Sequence, residues 1–540
     1  MTRICFKLAF VALVMSLAMN VFGDAGNVGP WGDQGDGTYK NPVLPGDYPD
    51  LDVIRVGPDY YAITSTDHFS PGVAVLHSKD LVNWQIIGHV VDDLKRVSPE
   101  MNFDKMNARS GRGIWAGAIR YHDGKFWVYF FAPEDGLFVS TAKDPAGPWE
   151  PVSAVWTTTG WDDCCPFWDD DGQGYLVATN VAQGYEVHVF RMSPDSKNLL
   201  LGSDKIIRQS KGAEGNKLYK INGLYYHFFS EFHGDDRVMM MERAKNVFGP
   251  YDVKQINHVN QTADREPNQG GLVQAESGQW WMLSHQGTMG WEGRPAALLP
   301  VTWVDGWPIP GKVGLDGQGA MVWSAKKPVD GAAVVVPQTD DEFNGKTLGP
   351  QWEWNFEPRN DKWSLTEQAG FLRLYATRPL APGGLLKAAN TLTQRSMRTA
   401  KNEAVVKLDI SNMTNGQQAG LCHLSNNPAS LGISQAGNLR TLTYTDTGKI
   451  SAGPVVVANT VWLKSTWDEA GAHQFLYSLD GSTFTEFDKP YSLGTGDYRG
   501  DRIGIYSYNT DADTGYVDVD WFHYSFTGPQ SGKTTLMTQP

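Results

Sequence analysis

NGLYYHFF, residues 222–229, reads as a β-hairpin: an Asn-Gly turn runs straight into paired aromatics and an apolar strand. The pattern is not isolated. GPDYYAI from Gly57, DGKFWVYF from Asp123, DGQGYLVA from Asp171 and SGQWWMLS from Ser277 repeat it, at intervals of roughly 50 to 65 residues. Each interval suits four short strands and their loops. A second echo follows several copies, as in VLHSKDLVNW (75–84), FVSTAKDPAGPW (138–149) and MERAKNVFGPY (241–251). Five all-β units of this length, with no long helical periodicity between them, predict a five-bladed β-propeller. A β-sandwich or several small domains is the alternative, and such regular turns count against it.

The rest of the chain is organised around that repeat. Near SAKKPVDGAAVVVPQ (324–338) the pattern becomes a linker. Beyond it, alternating strands such as FLRLYA (371–376), VVKLDI (405–410) and YVDVDWFHY (516–524) predict a two-sheet sandwich. The first residues, MTRICFKLAFVALVMSLAMNVFG, carry a short basic start and an apolar run ending in small residues, the pattern of a secretory signal. The expected division is therefore a signal peptide over 1–23, a propeller over 24–338, a sandwich over 339–528 and a loose tail over 529–540. Export, to the periplasm or the medium, is the expected localisation, with no membrane span after cleavage.

Composition narrows the function. With 540 residues, one ordinary core is too small to hold the chain, and two folded units are expected. Aromatics make up 12% of the chain, most of them serving β-rich cores and a few left for stacking on sugars. A net charge of −14 counts against a nucleic-acid partner, which requires a basic face. A mature chain would keep Cys164, Cys165 and Cys422, an odd number that is no disulfide framework. Two free, buried thiols are expected at 164–165, with a vicinal disulfide as the alternative. The sequence carries no signal for an oligomeric state.

The repeat also locates the chemistry. In a propeller the innermost strand of every blade lines the central channel, and its starting end offers one side chain to a common point. Ten to twelve residues before Tyr60, Phe126, Tyr175, Tyr225 and Trp280 stand Asp50, Trp115, Asp163, Glu214 and Gln269. Three of the five are carboxylates. Glycosidic cleavage requires such a set: one acid to protonate the leaving oxygen, another ionised to act on water or on the sugar carbon. A third negative group beside the acid favours its protonated form. Carboxylates facing one another across a channel leave room for a water and so favour inversion. The alternatives for any one of these acids are a calcium site or a solvated turn. For Asp169, Asp170 and Asp171 the turn reading is preferred. Asp52 and Asp162, neighbours of Asp50 and Asp163, rank below them.

The segments carrying these acids resemble glycoside hydrolase family 43, five-bladed hydrolases of arabinose- and xylose-containing polysaccharides. NPVLPGDYPDLDVIRVGPDYYAITST (41–66) and PGVAVLHSKDLVNW (71–84) are similar to its opening blade, and GIWAGAIRYHDGKFWVYF (113–130) to its second. WDDCCPFWDDDGQGYL (161–176), AEGNKLYKINGLYY (213–226) and NQGGLVQAESGQWW with SHQG (268–281, 284–287) resemble the remaining three. DEFNGKTLGPQWEWN (341–355), DKWSLTEQAGFLRL (361–374) and RIGIYSYN (502–509) resemble the jelly-roll, concanavalin-like sandwich of xylosidase-type members.

The resemblance implies distinct jobs: Asp50 as general base, Glu214 as general acid, and Asp163 as the residue that orients the acid and tunes its proton affinity. It further implies Trp115 and Phe69 as apolar walls of a sugar subsite, Arg294 as a substrate-contacting arginine, and Gln269 beside channel water. His285 resembles a channel histidine that holds water or calcium. No cofactor is required on this reading, and a structural Ca2+ is the one metal it allows. The implied activity is exo-acting, inverting release of α-L-arabinofuranosyl or β-D-xylosyl units from plant cell-wall glycans. The variant Asp-Cys-Cys-Pro-Phe-Trp, where many members have Asp-Pro-Ser, tilts the expectation slightly to arabinofuranosides. A fructan hydrolase lacks support, because its Trp-Met-Asn-Asp-Pro and Arg-Asp-Pro elements are absent; a propeller lectin without catalysis is the rival from another class.

Overall fold

The computed structural model describes residues 31–103, 109–257, 267–287, 290–380, 384–487, 490–496 and 498–529. The expected signal peptide, and all of the expected tail but Pro529, lie outside the described residues. Five antiparallel four-stranded sheets follow one another along the chain, each in simple up-and-down order. Their innermost strands are Asp52–Val56, Gly117–His122, Trp161–Trp168, Glu214–Ile221 and Pro267–Gln274. Each packs beside the next, and the fifth returns to the first, so the ring closes. Among the described residues no helix is long and apolar enough to cross a membrane.

The five aromatic repeats of the sequence become the second strands of the blades: Asp59–Thr64, Lys125–Ala132, Gly174–Asn180, Leu224–His233 and Trp280–Gln286. Their paired bulky residues have a geometric cause. Successive side chains of a strand point to opposite faces, and each blade is packed on both faces. Phe228 therefore joins Met241, Met282 and Leu299 in the seam between blades four and five. Its neighbour Phe229 joins Val177, Val189 and Met240 between blades three and four. Tyr129 and Phe130 divide in the same way between blade two's neighbours. At roughly 1.5–3 kcal/mol per fully buried large apolar side chain, these seams hold the ring together.

The second domain is a sandwich of two sheets. One runs Lys449–Val455, Leu439–Asp446, Ala429–Ala436, Gln417–Leu424, Arg502–Asn509, Leu392–Arg395, Glu353–Asn355. The other runs from Trp363–Ser364 through Tyr516–Phe526 and Asn402–Asp409 to Thr485–Glu486. The first sheet has an eighth member from the propeller: Phe69–Ser70 pairs antiparallel with Glu353–Asn355. Blade one thus supplies an edge strand to the sandwich, covering backbone groups that would otherwise be an open edge. At the other end of the linker, Val335 N–H donates to Asn83 of the propeller (3.2 Å) and the Thr339 hydroxyl to Tyr524 of the sandwich (2.6 Å).

This arrangement corrects one expectation. Phe69 is not an open sugar wall. It is buried at the domain seam, with the Arg502 guanidinium 3.8 Å from its ring centroid, Arg499 at 4.9 Å, and His68 stacked beside it at 4.6 Å.

Candidate active site

The five offset positions all fall at the starting ends of the inner strands, and the backbone there is irregular. Asp50 precedes its strand with φ 56°, and Asp163 has φ 54°. Strand pairing slips between Asp162 and Cys165, between Glu214 and Lys217, and between Pro267 and Gln269. Such bulges re-aim side chains out of a regular ladder, here at three of the five inner strands. Aspartate tolerates the left-handed region better than most residues. In blade four the left-handed position is Gly215, φ 74°, where an added Cβ would come within 2.8 Å of Gln269 Cγ. Gln269 therefore packs directly on the glycine that follows Glu214.

Asp50 is clamped as an anion. Arg294 Nη1 donates to Oδ1 at 2.7 Å, and the Ser65 hydroxyl donates to Oδ2. Burial opposes its ionisation, but the Arg294 charge, with the Ser65 hydrogen bond and the Lys217 charge, outweighs burial and holds it below the usual carboxylate range. The Asp50 N–H donates to His285 Nδ1 at 2.8 Å. Burial first, then Arg294, pushes His285 down to about 3, so the ring is neutral with its proton on Nε2.

The other side of the site holds protons instead. Asp163 is pushed up to about 7, by burial first and then by the Glu214 charge. Its Oδ1 is buried without a hydrogen-bond partner, and its backbone carbonyl accepts from Asn216 Nδ2 at 2.8 Å. Asp162 is raised well above the carboxylate range, again by burial and then by Asp163. Glu214 keeps some access to solvent and accepts from Arg237 Nη2 at 2.6 Å.

Trp115 lies half-buried at the mouth, its ring centroid 6.2 Å from that of Tyr498, which comes from the sandwich and is 65% exposed. The Tyr498 carbonyl accepts from Arg294 Nη2 at 3.2 Å. Arg294 thus ties Asp50 to the second domain as well as facing the site.

Beneath these residues a second ring fills the channel. The Asp52 carboxylate accepts from Ile119 N–H (2.9 Å) and from Arg120 Nη1 (2.6 Å), while Arg120 Nη2 reaches Cys165 Sγ at 2.8 Å. Tyr219 OH accepts from Leu272 N–H at 2.8 Å. Asp52 is thereby committed to structure. Cys164 and Cys165 are both free thiols, and they enter different inter-blade cores. Asp169 and Asp170 cap a turn through Lys220 (2.5 and 2.7 Å).

A calcium ion does not fit the residues around His285. Calcium takes six to eight oxygens, whereas His285 Nδ1 is taken by a backbone N–H and the buried Lys217 already supplies positive charge beside Asp50 and Asp163. Among the described residues no group of three or more His, Cys, Asp or Glu converges as a metal site.

Sequence reasoning did not find Ser65, Lys217, Arg237 or Tyr498. Ser65 lies just after the second strand of blade one, Lys217 just after Glu214 in the bulge, Arg237 in the third strand of blade four, and Tyr498 in the sandwich. Only Lys217 carried a signal, its closeness to Glu214.

An ionised carboxylate facing carboxylates that retain protons, on the channel end of a five-bladed propeller, defines a glycoside hydrolase. The chain belongs to glycosyl hydrolases family 43, whose family model matches residues 39–308. A second model, the beta xylosidase C-terminal concanavalin A-like domain, matches residues 340–525. The chain is similar to a beta-xylosidase of Formosa agariphila, 38% identical over 93% of each chain. It is also similar to a non-reducing end alpha-L-arabinofuranosidase of Bacteroides ovatus, 35% identical over 63% of this chain and 65% of that one. Among solved structures, a family 43 protein of Bacillus licheniformis superposes with a TM-score of 0.77 at 26% identity, over 90% of this chain and 99% of that one.

Proposed function

We propose that this glycosidase is an exo-acting, inverting β-D-xylosidase of xylose- and arabinose-containing glycans. The observation that carries the mechanism is the opposed electrostatics of the site: Arg294 and Ser65 hold Asp50 ionised, while burial and mutual repulsion favour protons at Asp163 and Asp162. Asp50 removes a proton from water, and the water oxygen forms a bond to the anomeric carbon. The bond from that carbon to the leaving oxygen breaks, and Glu214 gives its proton to that oxygen. Asp163 and Glu214 repel each other when both are ionised, so the pair retains a proton, and negative charge on Asp163 keeps that proton on Glu214. Trp115 and Tyr498 offer apolar faces at the mouth.

Preference for a xyloside draws support from the Formosa relative, which matches along nearly the whole chain, and from the xylosidase-type sandwich. The α-L-arabinofuranoside reading is second, supported by the Bacteroides ovatus relative. Side-by-side kcat/KM on 4-nitrophenyl β-D-xylopyranoside and α-L-arabinofuranoside separates them. Higher kcat/KM on the xyloside is expected; a reversed ratio makes the enzyme an arabinofuranosidase, and binding without turnover of either makes it a lectin. The basic and apolar start of the chain supports export, and N-terminal sequencing of the mature protein tests it.

A further inference from the structure

Arg237 is not accounted for by the three-carboxylate scheme, yet it is paired directly with Glu214. It opens the third strand of blade four, Asp236–Ala244, opposite Phe232 of the second strand. Its guanidinium is fixed before any substrate arrives. Nη1 donates to the Gly212 carbonyl (3.1 Å) and to Ser230 Oγ (2.8 Å), and the plane lies 4.4 Å from the Phe232 ring centroid. Nη2 is left for Glu214, reaching Oε2 alone at 2.6 Å.

We infer that Arg237 is a positioning residue for Glu214, holding Oε2 so that Oε1 carries the proton and stabilising the carboxylate formed as that proton leaves. The inference rests on the reading of Glu214 as general acid. A neutral carboxyl and a carboxylate both accept the Arg237 hydrogen bond, but only the carboxylate adds charge–charge attraction to the guanidinium. The interaction therefore strengthens as the proton moves to the leaving oxygen, which is the kind of contact that raises kcat rather than merely tightening binding. Asp163 acts in the opposite sense, since its charge opposes loss of the proton. The two together let the acid keep its proton in the free enzyme and release it during bond cleavage. Gly215, whose N–H also faces Asp163, joins the two groups through one bulge.

The test compares Arg237→Gln, Arg237→Lys and Glu214→Gln on xylobiose, a poor leaving group, and on 2,4-dinitrophenyl β-xyloside, whose leaving group needs no proton. Arg237→Gln is expected to lower kcat on xylobiose by about 10- to 100-fold, a share of what a general acid contributes, and to affect the dinitrophenyl substrate far less. The alkaline limb of its kcat/KM profile should move to higher pH, because the positive charge no longer favours the carboxylate. Arg237→Lys, which keeps the charge but not the fork or the stack, should fall between. Equal losses on both substrates with an unmoved limb, or wild-type rates on both, overturn the inference. Glu214→Gln keeps the two readings apart: if it alone shows the leaving-group dependence, only Arg237 loses its role. Wild-type activity of Glu214→Gln on xylobiose removes the acid itself, and the inference with it.

Discussion

Asp50 and Asp163 are the same residue type in the same backbone conformation, and their surroundings drive them apart. Arg294 holds one ionised, and burial beside Glu214 pushes the other up to about 7. Asp50→Asn removes the base and should lower kcat by at least ~100-fold with substrate binding retained, as steady-state kinetics would show. Asp163 also affects stability. Its folded-state value lies above the unfolded one of about 3.9, so folding retains a proton that the unfolded chain releases as pH rises. Both states are protonated below about pH 4, and the group costs stability progressively from there to about pH 7. Asp163→Asn should therefore raise Tm at pH 8 and change it little at pH 4, while impairing turnover; an equal Tm shift at both pH values contradicts this. At this scale the sequence was legible where the repeat operates. Asp50, Trp115, Asp163, Glu214 and Gln269 share one offset because each starts an inner strand. Arg237, Ser65 and Tyr498 come from outer strands or the other domain, where no period indicates proximity, and Phe69 was misplaced because its burial depends on a domain far along the chain.

The elements that place these side chains are the bulges at the start of the inner strands. Gly215 has both a positive φ and no room for a Cβ, and nothing but glycine satisfies both. Gly215→Ala should displace Glu214 and Gln269, with a large loss of kcat and roughly 1–3 kcal/mol of destabilisation by denaturant titration. Unchanged activity would mean that the bulge does not set the acid's position. Turn dipeptides and paired aromatics made the blades readable, since a strand packed on both faces needs bulk on both. The bulges were not readable, because one extra residue in a strand leaves no mark in a pattern of this length. The two-residue strand Phe69–Ser70 was equally hidden, its hydrogen bonds being made to a strand nearly 300 residues away.

In the whole molecule the two domains share their most costly groups. Glu353 of the sandwich is fully buried, with Arg395 Nη1 at 2.9 Å, Arg502 Nη1 at 2.6 Å and His89 of the propeller at 3.1 Å. Arg499 of the sandwich pairs with Asp67 of blade one. Breaking such a pair leaves an uncompensated buried charge, a cost of about 3–5 kcal/mol. Propeller and sandwich should accordingly unfold in one calorimetric transition, and Arg499→Leu should lower its Tm and also reduce kcat/KM through the adjacent Tyr498. Two separated transitions in the parent protein would show the domains to be independent. The domain count was legible from the linker and the change of pattern; the closeness of the sandwich to the catalytic mouth was not. The central claim concerns the channel itself: an ionised Asp50 activates water while Glu214 gives a proton to the leaving oxygen, in one displacement. Proton NMR of the first sugar released from a β-xyloside tests it most directly. The α-anomer of xylose should appear first and mutarotate toward the β form, whereas initial release of β-xylose would contradict the account.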